Sequence, residues 1–223
     1  MMRRREIACL FLDNGGVLLT DGWNRAQRHL TIKTFDLEAE DFERRHYQAA
    51  DTWELGKMIV GIYIDCVVFH RQRPFTPDLF KYFILAQSQP HADIMRIISA
   101  LKRRYALKVV AVSNESRELN DHRISTYHLD ALIVFFVSSC IVHLRKPDSD
   151  IFELAIEVAH VPAEKVLIVD NNAFFCEVEQ GLGMHNVVHL ERESTCTRLE
   201  SFGFLTDEAG VDLVTYGVGH GIQ

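Results

Sequence analysis

The sequence predicts an α/β fold, a doubly wound parallel sheet with a helical module inserted after its first strand. From residue 91 onward, short apolar runs rich in β-branched residues alternate with segments in which apolar residues recur at helical spacing. Between residues 22 and 90, in contrast, successive stretches have helical spacing and no convincing strand separates them. Alternating strands and helices are typical of a parallel sheet covered on both faces, so the helical stretch is predicted to be an insertion.

Each strand of the sheet is predicted from an apolar run that is too short for a helix. These runs occupy residues 7–12, 109–112, 132–137, 166–169 and 186–189. The helical module has candidate helices near residues 24–35, 39–51, 58–70 and 77–88. The last of these helices is predicted to begin with Thr76 as its N-cap and Pro77 at its first position. We therefore assign residues 1–21 and 91–200 to the α/β core, 22–90 to the helical module and 201–223 to a C-terminal tail.

The composition argues against nucleic-acid and membrane binding. The 223 residues include 24 Lys and Arg against 31 Asp and Glu, and the resulting net charge of −7 would repel a phosphate backbone. The longest run without a charged residue, 131–144, is shorter than the roughly 20 residues that span a bilayer. The arginine-rich N-terminus resembles the start of a signal peptide, but the apolar run after it is too short. Five cysteines without a CxxC pair favour a cytoplasmic protein with reduced thiols.

Polar residues follow four of the predicted strands, at or shortly beyond the point where each strand ends. In an open parallel sheet, ligands bind beyond the carboxyl ends of the strands, so these residues are expected to converge on one site. Gly15, in the turn after the first strand, leaves room for backbone N–H groups to approach an anionic ligand. The candidate site residues are Asp13, Asn14, Gly15, Ser113, Asn114, Lys146, Asp170 and Asn171.

Four segments at these positions resemble, in the same order, the motifs of the haloacid dehalogenase-like hydrolase superfamily. They read Phe-Leu-Asp-Asn-Gly-Gly-Val-Leu from Phe11, Val-Val-Ala-Val-Ser-Asn from Val109, Leu-Arg-Lys-Pro from Leu144 and Leu-Ile-Val-Asp-Asn-Asn from Leu167. The Asp-x-Gly first motif and the Ser-Asn-x-x-Arg second motif are most similar to those of sugar-phosphate phosphatases of the glucose-1-phosphate phosphatase type. The resemblance implies a Rossmann-like core, and the helical module is similar to the cap of those enzymes.

The resemblance implies phosphatase chemistry through a covalent intermediate. Asp13 would attack the phosphorus of a small phosphorylated metabolite, such as a sugar phosphate, and water would cleave the resulting aspartyl-phosphate. Ser113 and Lys146 would bind the phosphoryl group, and Lys146 would also offset the repulsion between two anions. Further phosphate contacts are implied for the backbone N–H groups of Asn14, Gly15 and Asn114. The implied metal is Mg²⁺, and the implied binding residues are Asp13, Gly15, Asp170 and Asn171.

Three positions depart from the family pattern. Many phosphatases of the superfamily carry a second aspartate, a general acid/base, where this sequence has Gly15. The sugar-phosphate phosphatases that it resembles share this glycine. Asn171 stands where the family has a metal-binding aspartate, and a neutral amide is expected to weaken metal affinity. Phe175 stands where such phosphatases often have an asparagine.

Two alternative functions belong to other classes. A metal-independent haloacid dehalogenase would use the same aspartate to displace halide, but such enzymes carry a tyrosine and an aspartate where Gly15 and Phe175 stand. A catalytically impaired binding module would keep the fold without its chemistry, and Gly15 and Asn171 are consistent with that function. In the helical module, the candidate substrate contacts are Trp23, His46, Trp53 and Lys57, although aromatic residues in a small helical module usually form its core.

Overall fold

The computed structural model describes residues 6–207, and its strands form one parallel sheet. The strands are β1 (Cys9–Leu12), β2 (Lys108–Ser113), β3 (Phe135–Ser138), β4 (Val166–Asp170) and β5 (His185–Val188). Their order is β3-β2-β1-β4-β5, so β1 lies at the centre between β2 and β4. Every neighbouring pair is parallel, which confirms the sheet predicted from the apolar runs.

Helices precede and follow the strands, and a group of them separates β1 from the rest of the core. The inserted helices are α1 (Arg25–Thr34), α2 (Ala39–Glu54), α3 (Val60–Val67) and α4 (Pro77–Ala86). The helices of the α/β core are α5 (Ala92–Tyr105), α6 (Arg117–Tyr127), α7 (Leu129–Leu132), α8 (Ser139–Val142), α9 (Ser149–Ala159), α10 (Ala173–Gly181) and α11 (Arg192–Ser201). None of the helices within residues 6–207 is both long and apolar enough to cross a membrane.

Helices cover both faces of the sheet. The side chains of a strand alternate between the two faces, so the sheet contributes to two hydrophobic clusters. On β1, Leu10 and Leu12 belong to one cluster, which includes apolar residues of α5 and α11. Cys9 and Phe11 belong to the other cluster, which includes apolar residues of α9. The chain is therefore doubly wound, as its sequence predicts, and the carboxyl ends of β1, β2 and β4 lie side by side.

The inserted helices have a hydrophobic core of their own, built largely from aromatic rings. Trp53 stacks on Tyr63 with 3.9 Å between ring centroids, and Phe80 is fully buried among other aromatic rings. Helix α4 begins as predicted, with Pro77 in its first turn and the Thr76 hydroxyl accepting a hydrogen bond of 3.3 Å from the Leu79 N–H. The insertion is thus a packed helical module rather than a loop.

Two segments differ from their predicted structure. The third strand begins at Phe135 rather than at residue 132, because Leu129 and Leu132 lie on the short helix α7 and pack into the core. After β5 the chain continues into α11, and Phe202 and Phe204 that follow it are buried in the core. The hydrophobic core therefore includes the first residues of the predicted tail, and residues 208–223 lie outside the described residues.

Candidate active site

The Asp13 carboxylate lies at the carboxyl end of the central strand, on the wall of a cavity of about 230 Å³. Its backbone N–H donates to the Val169 carbonyl at 3.0 Å, which extends the pairing of β1 with β4 by one residue. This hydrogen bond holds the Asp13 backbone in place at the end of the strand. Asp13 is 9% exposed, so its carboxylate is largely withdrawn from bulk water and still borders the cavity.

The Ser113 hydroxyl contacts this carboxylate from the neighbouring strand. Its O–H donates to Asp13 Oδ1 at 2.5 Å, and its Oγ accepts from the Asn14 N–H at 3.3 Å. Ser113 is the last residue of β2 and Asp13 directly follows β1, so the pairing of these two adjacent parallel strands brings them together. The predicted proximity of these two side chains is therefore present in the structure.

The Lys146 ammonium lies between two carboxylates and is 1% exposed. Its Nζ is 2.6 Å from Asp170 Oδ2 and 3.2 Å from Asp13 Oδ2. The other oxygen of Asp170 accepts a 2.7 Å hydrogen bond from the Asn172 N–H. The ring of Phe175 covers the ammonium in cation–π geometry, with 5.2 Å between Lys146 Nζ and the ring centroid. Lys146 is thus a buried cation held against the nucleophile candidate rather than a solvated surface lysine.

These buried charged groups shift one another's pKa values. Burial alone would lower the pKa of Lys146, but the Asp13 and Asp170 carboxylates outweigh it and raise that pKa. Burial raises the pKa of Asp13 above its ordinary range, whereas the Lys146 ammonium and the Ser113 hydroxyl oppose the increase. Burial also raises the pKa of Glu179 to about 8, with Asp170 adding to the shift. Lys146 is therefore the main contribution that favours the anionic, nucleophilic form of Asp13.

Asn114 borders the same cavity, but its side chain is committed to the backbone of Lys146. The amide oxygen and one of the two amide N–H groups of Asn114 are therefore engaged with Lys146. Gly15 is also on the cavity wall. Asn14 differs from both, since its side chain is fully buried and neither of its polar atoms has a partner within residues 6–207.

Asn171 faces Asp21, a residue that the sequence analysis did not identify. The Asn171 amide donates to Asp21 Oδ1 at 3.1 Å, and Asp21 lines the cavity together with Asp13. Gly16 has φ +76°, and a side chain there would overlap the Asn171 amide. Within residues 6–207, no cluster of three His, Cys, Asp or Glu side chains could hold a metal ion. A metal at this position would therefore depend on amide or backbone oxygens in addition to a carboxylate.

A buried ion pair between Glu115 and Arg123 forms another wall of the cavity. Arg123 Nη2 donates to the Thr20 carbonyl at 2.8 Å and to the Asp21 carbonyl at 2.6 Å, both at the entry to the inserted helices. Its Nε donates to Ser88 Oγ at 2.8 Å, near the end of the insertion. The sequence around these residues is polar and resembles an exposed helix, so no apolar period marked them as buried.

The inserted helices complete the cavity. Their residues on its wall are Trp23, Asn24, Arg28, Trp53 and Glu54. Both tryptophans are mainly buried, so they belong to the core of the module and to the cavity wall at once. His46 lies in that core instead, where its Nδ1 is 2.7 Å from the Tyr63 hydroxyl, and Lys57 is not on the cavity wall.

Comparison with known proteins identifies the family to which this chain is similar. The chain matches the family description "Hydrolase: haloacid dehalogenase-like hydrolase" over residues 7–173. No curated protein matches it. Among solved structures, a HAD family enzyme from Bacteroides thetaiotaomicron, in complex with magnesium and inorganic phosphate, has a TM-score of 0.64 at 16% identity, covering 81% of this chain and 93% of that one.

Two further structures have the same fold. A predicted HAD-like family hydrolase from Porphyromonas gingivalis has a TM-score of 0.65 at 19% identity, covering 82% of this chain and 90% of that one. The L-2-haloacid dehalogenase from Xanthobacter autotrophicus, with chloropropionic acid covalently bound, has a TM-score of 0.59 at 17% identity, covering 87% of this chain and 83% of that one. The family match covers Asp13, Ser113, Lys146 and Asp170, and the chain therefore belongs to the haloacid dehalogenase-like hydrolases.

Proposed function

We propose that this hydrolase is a Mg²⁺-dependent phosphatase that acts on a small phosphorylated metabolite through an aspartyl-phosphate on Asp13. One observation carries the proposal, the Asp13 carboxylate held beside a cavity between the Ser113 hydroxyl at 2.5 Å and the Lys146 ammonium at 3.2 Å. The magnesium and phosphate complex of the structurally similar Bacteroides enzyme supports it. A buried anion with a fixed cation and a hydroxyl donor is the arrangement that phosphoryl transfer requires.

In this mechanism Asp13 attacks the phosphorus and the bond from phosphorus to the leaving oxygen breaks, which leaves the phosphoryl group on the Asp13 carboxylate. Ser113 exchanges its bond with Asp13 for one with a phosphoryl oxygen. Lys146 offsets the negative charge that both reactants bring, and it needs no movement to do so because its ammonium is already in place. Water then cleaves the aspartyl-phosphate and restores the Asp13 carboxylate.

The residues present are consistent with Mg²⁺ in their chemistry, since all candidate ligands are hard oxygens. Asp13 would supply a carboxylate, Gly15 its carbonyl and Asn171 its amide oxygen. Asp170 is fully buried and is not on the cavity wall, and its oxygens accept hydrogen bonds from Lys146 and from Asn172. We therefore place Asp170 behind the other three, as the partner of Lys146. When bound, the ion supplies positive charge at the phosphoryl oxygens.

The proposed substrate class is a small hydroxylated phosphate ester such as a sugar phosphate. The cavity of about 230 Å³ suits a ligand of that size. Its wall combines aromatic faces of Trp23 and Trp53 with polar side chains of Asn24, Glu54 and Ser116. Hydroxyl groups on the ligand would bond with such polar side chains, while its C–H faces would pack on the rings. In this proposal the inserted helices are the cap that closes over the substrate.

The proposed location is the cytoplasm, without nucleic-acid or membrane partners. All five cysteines are free thiols in the structure, which is typical of a reducing compartment. The net charge of −7 is unfavourable for binding nucleic acid.

A substrate screen tests this function. Purified protein is incubated with a panel of phosphorylated metabolites at several Mg²⁺ concentrations, and phosphate release is measured. The same protein is tested for halide release from 2-haloacids in EDTA, since a metal-independent dehalogenase has the same nucleophile. We expect phosphate release that depends on Mg²⁺ and that Asp13→Asn abolishes without loss of folding. Halide release without metal would establish the dehalogenase instead, and no turnover in either assay would indicate a binding module.

A further inference from the structure

A phosphatase of this kind needs a group that accepts a proton from water, and residue 15, a glycine, cannot supply one. The structure shows what lies in the space that a side chain at Gly15 would enter. A Cβ atom there would be 3.3 Å from Arg123 Nη1, which is ion-paired with Glu115. The side-chain atom nearest to this position is therefore the guanidinium nitrogen that pairs with the carboxylate of Glu115, in the loop after β2.

The Glu115 carboxylate is buried and reaches the nucleophile through one intervening hydroxyl. Its Oε1 is 3.2 Å from Ser113 Oγ, and the Ser113 hydroxyl donates a hydrogen bond to Asp13. Glu115 is 1% exposed and lines the same cavity as Asp13. Its second oxygen, Oε2, is buried without a hydrogen-bond partner among the described residues. This oxygen therefore has its full capacity to accept a proton, and the contact of Oε1 with Ser113 places the carboxylate next to the nucleophile.

We propose that Glu115 is the general base that activates water for hydrolysis of the aspartyl-phosphate, an inference that rests on the proposed phosphatase function. Water oxygen attacks the phosphorus, and the bond between phosphorus and the Asp13 oxygen breaks with its electron pair returning to the carboxylate. The water proton passes to Glu115 Oε2. In the next cycle this proton moves to the leaving oxygen of the substrate as the ester bond breaks, which restores the Glu115 carboxylate.

Arg123 acts as a positioning residue for this base. It pairs with Oε1, the oxygen that also faces Ser113, and so leaves Oε2 as the proton acceptor. Three further hydrogen bonds, to Ser88 and to the carbonyls of Thr20 and Asp21, hold the guanidinium in place. A base held in this manner stays oriented between turnovers.

The experiment uses p-nitrophenyl phosphate with Mg²⁺, because its leaving group departs without a proton and a missing base therefore affects hydrolysis alone. In Glu115→Gln we expect a rapid release of one nitrophenolate per active site, followed by a steady rate lowered by about 10²- to 10⁴-fold. Since only the second step is slowed, kcat and KM should fall together and kcat/KM should change little. The phosphorylated protein should accumulate and be detected by mass spectrometry after acid quenching.

The matched control is Glu118→Gln, the same substitution at a glutamate that bonds the Val60 N–H instead and should leave all rates unchanged. If Glu115→Gln does not fold, Glu115→Asp keeps the charge that Arg123 needs but withdraws the oxygen, and it should show the same joint fall in kcat and KM. Wild-type kcat in either folded variant, or a fall in kcat/KM without phosphorylated protein, overturns the inference. Failure of the phosphatase function differs, because the wild-type protein would then release no phosphate from any substrate.

Discussion

The side-chain amide of Asn114 forms two hydrogen bonds with the backbone of Lys146. Asn114 Oδ1 accepts from the Lys146 N–H at 2.8 Å, and Asn114 Nδ2 donates to the Lys146 carbonyl at 2.9 Å. The loop that carries Lys146 is thereby attached to the strand end that carries Ser113. Two of the sequence motifs are thus joined by one amide, which explains why an asparagine follows the serine.

Replacing this amide should impair catalysis without touching the substrate's reacting atoms. In Asn114→Ala, Lys146 loses both backbone bonds, and its displacement should lower kcat by up to about 100-fold, since an error of about 1 Å can cost that much. The measurement is kcat together with thermal stability. Asn120→Ala is the control, because Asn120 is a buried asparagine that accepts from Ser138 Oγ instead and should affect stability alone. Equal kcat values in the two variants would contradict the role of Asn114.

Removing Lys146 should affect both activity and stability. Lys146→Ala leaves Asp13 and Asp170 adjacent and without their cation, so we expect at least a 10²-fold lower kcat and a loss of about 3–5 kcal/mol in the free energy of unfolding. Adding Asp170→Asn should recover stability, since it removes one uncompensated charge, but it should not recover activity. Chemical denaturation and phosphate release measure the two effects separately. Activity within a few-fold of wild type would show that Lys146 serves structure alone.

Much of the fold could be predicted from the sequence because it depends on local periodicity. The apolar runs of the central strands are too short for helices and are buried on both faces, as in residues 109–112. The third strand was misplaced by three residues at its start. Leu129 and Leu132 are the buried residues of the short helix α7. A short run of apolar residues does not distinguish such a helix from a strand.

The site could be predicted in part, where residues follow directly from strand ends. Asp13 directly follows β1 and Ser113 ends the adjacent β2, so the pairing of these strands brings them together. Arg123 and Glu115 could not be found in this way, because both are buried as an ion pair that is held by Thr20, Asp21 and Ser88, residues remote from them in the sequence. Asp21 was missed for the same reason, since its contact with Asn171 joins residues 150 positions apart in the sequence.

Adding a carboxylate at Asn171 should tighten Mg²⁺ binding. The amide now donates to Asp21, so Asn171→Asp would place two carboxylates in contact. Without Mg²⁺ their repulsion should lower the melting temperature, and Mg²⁺ should restore it. The Mg²⁺ concentration for half-maximal activity should also fall. Asn186→Asp adds the same charge at an amide that donates to the Cys176 carbonyl, so Mg²⁺ should neither reverse a fall in its melting temperature nor act at a lower concentration in the assay. An unchanged or raised half-maximal Mg²⁺ concentration in Asn171→Asp would exclude Asn171 as a ligand.

Stability should fall in mildly acidic solution because of His46, in the core of the inserted helices. The Trp23 Nε1–H donates to the Tyr63 hydroxyl at 2.8 Å, and His46 Nδ1 lies 2.7 Å from the same hydroxyl. We assign the hydroxyl as the donor to a neutral His46 ring, since it already accepts from Trp23. Burial lowers the pKa of His46 from 6.5 to about 4, and repulsion from Arg28 adds to the shift. The unfolded chain therefore binds the proton more readily than the folded one.

The sign of the effect follows from this difference in pKa. The contribution of His46 is fully present above pH 6.5, decreases as the pH falls, and stops changing below about pH 4, for a total near 3 kcal/mol. His46→Gln lacks the titrating ring, so the difference in unfolding free energy between wild type and variant should shrink over this range. Chemical denaturation at several pH values measures it, and carboxylates common to both proteins cancel. His29→Gln, at an exposed histidine of α1, should show no such trend. A pH-independent difference for His46→Gln would mean that the buried ring titrates normally.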